Sequence, residues 1–217
     1  AGADSYNTAV GTQAGVLVNT GVENTLIGGL AGDGITTGDA NVALGYNSLS
    51  AGGGGNGSIA IGKNALAAQN SSGDRLNIAI GLNAGTVINS GVHNTFVGAL
   101  CGDATDDGES NVAMGHAALS SNCGNDNTGI GTGALNECTG SFNTALGRTA
   151  GNRIASGTNN MMLGRDSGET GSPGGIINGS TSNHIVLGDE NITNAHIQVD
   201  WTVASDARDK TDFTALD

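Results

Sequence analysis

Eleven five-residue stretches share one pattern: a polar residue, a Thr or apolar residue, a usually small residue, an apolar residue and a glycine. They read NTAVG at 7–11, NTLIG at 24–28, NVALG at 41–45, SIAIG at 58–62, NIAIG at 77–81 and NTFVG at 94–98. The series continues as NVAMG at 111–115, NTGIG at 127–131, NTALG at 143–147, NMMLG at 160–164 and HIVLG at 184–188. The closing glycines stand 17, 17, 17, 19, 17, 17, 16, 16, 17 and 24 residues apart. A near-constant step repeated this often predicts a solenoid, in which each repeat is one coil stacked on the last.

Alternation within the unit predicts a short strand. Residues two apart on a strand share a face. Position four is always apolar, from Val10 and Ile27 to Leu187, and position two is Thr or apolar, as in Thr8 and Ile59. These two positions are therefore expected to form a buried face. Position three, usually Ala, is expected on the opposite face, where a small residue fits a close backbone approach. One face would be covered by the coil itself and the other by a neighbour. Position five is invariant glycine, which permits a left-handed or bulged corner.

Position one is Asn at Asn7, Asn24, Asn41, Asn77, Asn94, Asn111, Asn127, Asn143 and Asn160. Asn tolerates turn conformations, and side-chain amides stacked in register form ladders. A structural ladder is expected here in preference to a sugar-binding strip, because the row sits at the corner of every coil. Three residues after each of the first ten glycines comes a small residue (Ala14, Ser48, Cys101), expected on a second short strand. The next residue is Gly or Leu, alternating in pairs of coils. Residues 16–33 match residues 86–103, as duplication of a four-coil block would produce. The longest insertion between units is ETGSPGGIINGSTSN at 169–183.

Composition sharpens this picture. Of 217 residues 39 are Gly, one is Pro and only six are aromatic, so a broad core of bulky side chains is out of reach. Thin coils of Ala, Val and Ile bury little surface alone, and several chains are expected to pack together. The formal net charge of −13 opposes binding to nucleic acid or an anionic membrane. No stretch approaches the roughly 20 apolar residues of a membrane span. The start AGADSYN lacks both Met and a signal-peptide pattern, which fits a processed product or a fragment.

Candidate chemistry is sparse. Cys101 replaces the Ala of other repeats and is expected as a small buried thiol. Cys123 and Cys138 lie about one period apart, and stacked strands about 4.8 Å from each other come within disulfide reach, so a bond and two free thiols both remain open. The arm DATDDGE at 103–109 carries Asp103, Asp106, Asp107 and Glu109, carboxylates that Ca²⁺ could use, but it lacks the EF-hand loop pattern and reads rather as a solvated acidic loop. His93, His116, His184 and His196 lack metal-ligand spacing. No metal and no cofactor are expected. His184, in the Asn corner position, is expected to be structural.

Units such as NTALG, NVALG and SIAIG, followed by xxAL or xxAG, resemble the head repeats of trimeric autotransporter adhesins and, still more, the repeats of bacteriophage tail fibres. The resemblance covers residues 7–188. It implies an all-β fold, a left-handed parallel β-roll of about eleven coils, with three rolls associated about a common axis. The segment DWTVASDARDKTDF at 200–213 is similar to the start of the intramolecular chaperone domain of phage tail spikes and fibres. Its Ser-Asp-x-Arg-x-Lys pattern is matched by Ser205, Asp206, Arg208 and Lys210. The resemblance implies self-cleavage next to Ser205, with Lys210 as its base; a lysine of lowered pKa can deprotonate a serine hydroxyl. The chain ends at Asp217, so the chaperone body is missing and residues 206–217 would lie beyond the cut.

The expected organisation is thus a β-roll at 1–188, a connector at 189–204 and the start of a chaperone at 205–217. The expected role is a structural, adhesive fibre segment of a virion tail, or else of a bacterial cell surface. Its expected partners are two further copies, other fibre or virion proteins and a host-surface glycan or protein reached by arms such as 103–109. The mature segment is not expected to be an enzyme. A β-solenoid depolymerase would need paired carboxylates about 5 to 10 Å apart in a sugar-sized groove, and the aromatic platforms for sugars are nearly absent. A threonine row for ice or mineral (Thr8, Thr25, Thr95, Thr128, Thr144) is broken by Val, Ile and Met.

Overall fold

A computed structural model describes residues 5–51, 53, 55–169, 171–172 and 175–196. Each of the eleven units forms a three-residue strand at its positions two to four. The strands are β1 (Thr8–Val10), β2 (Thr25–Ile27), β3 (Val42–Leu44), β5 (Ile59–Ile61), β7 (Ile78–Ile80), β8 (Thr95–Val97), β9 (Val112–Met114), β10 (Thr128–Ile130), β11 (Thr144–Leu146), β12 (Met161–Leu163) and β13 (Ile185–Leu187). They pair in parallel and in sequence order as one sheet. Register is strict: Thr8 lies beside Thr25, and Met161 beside Ile185. Two-residue strands β4 (Gly55–Asn56) and β6 (Gly73–Asp74) form a separate parallel pair between adjacent arms. The chain is an all-β parallel solenoid of about nine turns, with no helix among the described residues.

The parity of the strand is the reverse of the expectation from hydrophobicity. Position three points into the coil: Leu26, Ala43, Ala60, Ala79, Phe96 and Ala113 have no exposed surface. Positions two and four point outward. Along position four the exposure is 36 % at Ile27, 43 % at Leu44, 45 % at Met114 and 51 % at Leu146. The reason is room. A coil of about 17 residues has a bore too narrow for an aliphatic side chain at every place, so Ala fills it and the larger residues are left outside. The segment after each corner glycine is also not a strand. It is a run of turns, closed by bonds such as Val18 N–H to Gly15 O at 3.0 Å and Ile35 N–H to Gly32 O at 3.1 Å.

The corner glycines are dictated by contact as well as by conformation. At Gly98 φ is +140°, and a Cβ there would lie 2.4 Å from the carbonyl oxygen of Gly115 one coil on. No side chain fits that gap.

The Gly/Leu alternation has a packing cause. Leu49, Leu66, Leu119 and Leu135 turn into the bore and are buried. Where Gly stands instead, the residue three further on enters: Ile35, Ile88, Thr105 and Ile154 are buried and Val18 packs against the same core. The largest position-three residues, Leu26, Phe96 and Met162, occur in Gly coils. A Cβ on Gly102 would lie 2.3 Å from the Phe96 ring, and one on Gly32 2.7 Å from Leu26 Cδ2.

Candidate functional site

The asparagine row forms the expected ladder. Asn24, Asn41, Asn77, Asn94, Asn111, Asn127 and Asn143 have no exposed surface, and Asn160 has almost none. Most rungs share one geometry. The Asn94 backbone and side-chain N–H groups donate to Asn77 Oδ1 at 2.9 and 3.2 Å, and Asn94 Nδ2 also donates to Gly108 O at 2.7 Å. At the N-terminal end Asn7 Nδ2 donates to Gly21 O at 2.8 Å. At the other end the His184 backbone N–H donates to Asn160 Oδ1 at 3.0 Å, while the imidazole is exposed and adds no further rung. With its polar atoms directed inside the coil, this row is a structural spine and not a glycan strip.

The ladder is interrupted where Ser58 replaces Asn. Gln69 reaches in from the arm, donating to Ser58 Oγ at 3.0 Å and accepting from Asn77 Nδ2 at 2.9 Å. This arm belongs to the 19-residue step, whose extra length carries β6.

The acidic arm does not converge on one point. Asp106, Asp107 and Glu109 are exposed, whereas Asp103 accepts a hydrogen bond from Ser120 Oγ and the inward Thr105 separates it from the others. The arm backbone is tied down by Asn122 and Asn125, whose Oδ1 atoms accept from the N–H groups of Asp106 and Glu109 at 3.0 Å. Among the described residues no group of three or more His, Cys, Asp or Glu is placed to hold a metal ion.

All three cysteines are free and buried. Cys101 Sγ lies 3.3 Å from Ala113 O, Cys123 Sγ is 3.1 Å from Thr105 Oγ1, and Cys138 Sγ accepts from Asn143 Nδ2 at 3.5 Å. Loss of hydration pushes the Cys101 thiol up to about 12 and that of Cys138 up to about 11, and raises that of Cys123. Cys123 and Cys138 turn inward from their arms without bonding to one another. Ser205, Asp206, Arg208 and Lys210 lie outside the described residues.

No protein-family model, curated protein or solved structure matches this chain.

One concavity on the roll was not among the sequence-derived candidates. Beside the 24-residue step two hollows of about 300 and 550 Å³ adjoin, and Asn152 lines both. Within this step Ser172 and Ile177 are buried, the Ile177 N–H donates to Gly168 O at 2.9 Å, and Gly179 bridges to Ile154. Between the hollows runs the ion pair of Arg153 Nε and Glu169 Oε2, at 2.9 Å. Burial raises the Glu169 carboxyl above its usual range, against the pull of Arg153. On the far wall Arg165 contacts Asp166 at 3.1 Å and Asp189 at 3.0 Å. Hydrogen bonds from Asn191, then from Arg165, hold Asp189 below the usual carboxylate range. The length of the 169–183 insertion was the sequence signal that pointed here.

Proposed function

We propose that the chain is a structural, adhesive segment of a trimeric fibre, in which left-handed rolls of about eleven coils pack side by side and hold their arms away from a particle. The observation that carries this reading is the outward row of Ile27, Leu44, Ile80, Met114 and Leu146, 36 to 51 % exposed in one chain. An apolar strip recurring along a regular stack is the kind of surface that marks an interface. Two sister copies laid against it would complete a core that Ala alone cannot make. At about 4.8 Å per coil the roll is a rod of about 50 Å, suited to reach. The resemblance to phage tail-fibre repeats makes a virion tail the favoured setting and a host-cell surface the favoured target. In the precursor, Ser205 and Lys210 would serve self-cleavage.

Sedimentation of the purified protein tests the assembly. A trimer is expected, and Leu44→Lys with Ile80→Lys is expected to give monomers that keep the strand signal in circular dichroism. A wild-type monomer would overturn the reading. Adsorption to host cells, with the 103–109 arm replaced by Gly-Ser, tests that arm separately; unchanged adsorption removes it as the contact. Mass spectrometry of the C-terminus reports whether the chain ends at Ser205 in mature material.

A further inference from the structure

We infer that the double hollow around Asn152 is a binding groove for an uncharged or amino-bearing saccharide, a proposal that rests on the reading of the chain as a surface-contacting fibre. Three observations carry it.

The groove is made by a departure from the repeat. Here the step lengthens to 24 residues, with Ser172 and Ile177 buried, and Gly179 donates its backbone N–H to Arg153 O at 3.1 Å while its carbonyl accepts from the Ala155 N–H at 2.9 Å. The walls are fixed by the Arg153–Glu169 and Arg165–Asp189 pairs and by Asn191 Nδ2 donating to Asp189 at 3.0 Å, so a ligand meets a shaped surface.

The hydrogen-bonding capacity left over is specific. Among the described residues the side chains of Asn152, Asn178, Glu137 and Glu190 have no hydrogen-bond or ion-pair partner. Two amides and two carboxylates give many acceptors and a few donors. The complementary ligand is rich in O–H or N–H groups spread over several ångströms, which describes a run of hydroxylated rings.

Charge then narrows the class. The lining holds five carboxylates (Glu137, Asp166, Glu169, Asp189, Glu190) against Arg153 and Arg165. Both arginines already face carboxylates, so among the described residues an anionic sugar finds no free cation and several like charges. Neutral hydroxyls and ammonium groups find acceptors. Among the described residues no aromatic ring lines either hollow, so stacking adds nothing and one groove binds weakly. Three copies on one fibre would multiply that weak contact on a surface carrying many sugar ends.

The test uses the native oligomer on an immobilised panel of neutral, amino-bearing and acidic oligosaccharides, with calorimetry on the best of them. Retention on neutral or amino-bearing members and none on acidic ones is expected. Asn152→Ala with Glu137→Ala should weaken binding about tenfold or more, since each removes hydrogen bonds, with an unchanged unfolding midpoint. Failure of the whole panel, retention by acidic members alone, or undiminished binding by the double variant would overturn the groove. A trimer that adsorbs to host cells equally well with and without the double substitution would also overturn it while leaving the fibre reading intact. A monomer that adsorbs to nothing would sink the fibre reading and the groove with it.

Discussion

Two neighbouring coils fill the same bore in opposite ways. The coil that begins at Asn94 puts Phe96 at position three and must then have Gly102 opposite, because the ring occupies the place of a Cβ. The coil that begins at Asn111 puts Ala113 there and fills the space with Leu119. Both Leu119 and Gly102 sit at positive φ, +49° and +59°, so left-handed backbone is common to the two designs and does not decide which residue appears. Volume decides it. The lesson is that the conserved quantity in this solenoid is the content of the bore, shared between two points of the coil, and not the residue at either point.

The sharpest way to break that equivalence is Gly102→Leu. It should destabilise by about 3 to 5 kcal/mol, because the added side chain overlaps the Phe96 ring in a bore that cannot expand. Adding Phe96→Ala turns the coil into the Leu type and should recover at least about 2 kcal/mol, although Phe→Ala in a core usually costs about 3 to 5. Denaturant unfolding of the two single variants and the double variant measures this coupling. Simple additivity would mean that the two coil types are not interchangeable solutions.

Both coil types also depend on the same spine. Asn111→Ala removes the acceptor for the Asn127 backbone and side-chain N–H groups, at 2.9 and 3.1 Å, and the donor to Gly124 O. With those groups buried, a loss of about 2 to 3 kcal/mol is expected in chemical unfolding. An Asn→Asp change at the same site would keep an acceptor but lose a donor and bury a charge, and it should be worse at pH 7 than at pH 4.

The thiols sharpen the contrast through pH. Cys101 belongs to the Phe96 coil and Cys138 to a Leu coil, and both are held as thiols, up to about 12 and about 11, against an ordinary value of 9.0. A raised pKa means that the folded chain keeps its proton where the unfolded chain has lost it. Stability is therefore whole below about pH 9 and falls as pH rises towards 11 and 12, by up to about 1.4 kcal/mol per pH unit for each thiol. Unfolding midpoints from pH 8 to 11 should show this slope, and Cys101→Ala should lessen it. A thiol reagent at pH 8 should label all three cysteines only after denaturation.

The period, the strand at each unit, the glycine corner, the asparagine ladder and the burial of Cys101 follow from the residues alone, because each depends on local conformation or on stacking in register. The direction of the strand does not. Val10, Ile27 and Leu44 are more apolar than Ala9, Leu26 and Ala43 taken together, and the usual rule assigns the more apolar face to the core. That rule presumes a core wide enough to hold it. In a narrow roll the apolar excess lies outside. The Gly/Leu pairs were visible as a rhythm, but their cause requires knowing that position three and the place four residues after the corner glycine face one another. The groove near Asn152 was foreshadowed only by the length of the insertion, since its walls come from turns that have no periodic signature.

The smallest effect separates a regular rung from a repaired one. At Ser58 the spine lacks its amide, and Gln69 supplies one from across the coil, leaving the Ser58 N–H bonded to Asn41 Oδ1 at 2.9 Å as in any rung. Gln69→Ala should cost only about 1 kcal/mol, less than Asn111→Ala, because Asn77 Nδ2 retains its bond to Gly91 O at 2.8 Å. Ser58→Asn alone should clash with the resident Gln69 and gain nothing. Combined with Gln69→Ala it should rebuild the standard rung and bring stability back to the wild-type level. If the double variant is no better than Gln69→Ala, the longer 62–81 step has moved the backbone out of ladder register, and Gln69 is a response to that displacement and not a substitute for the missing side chain.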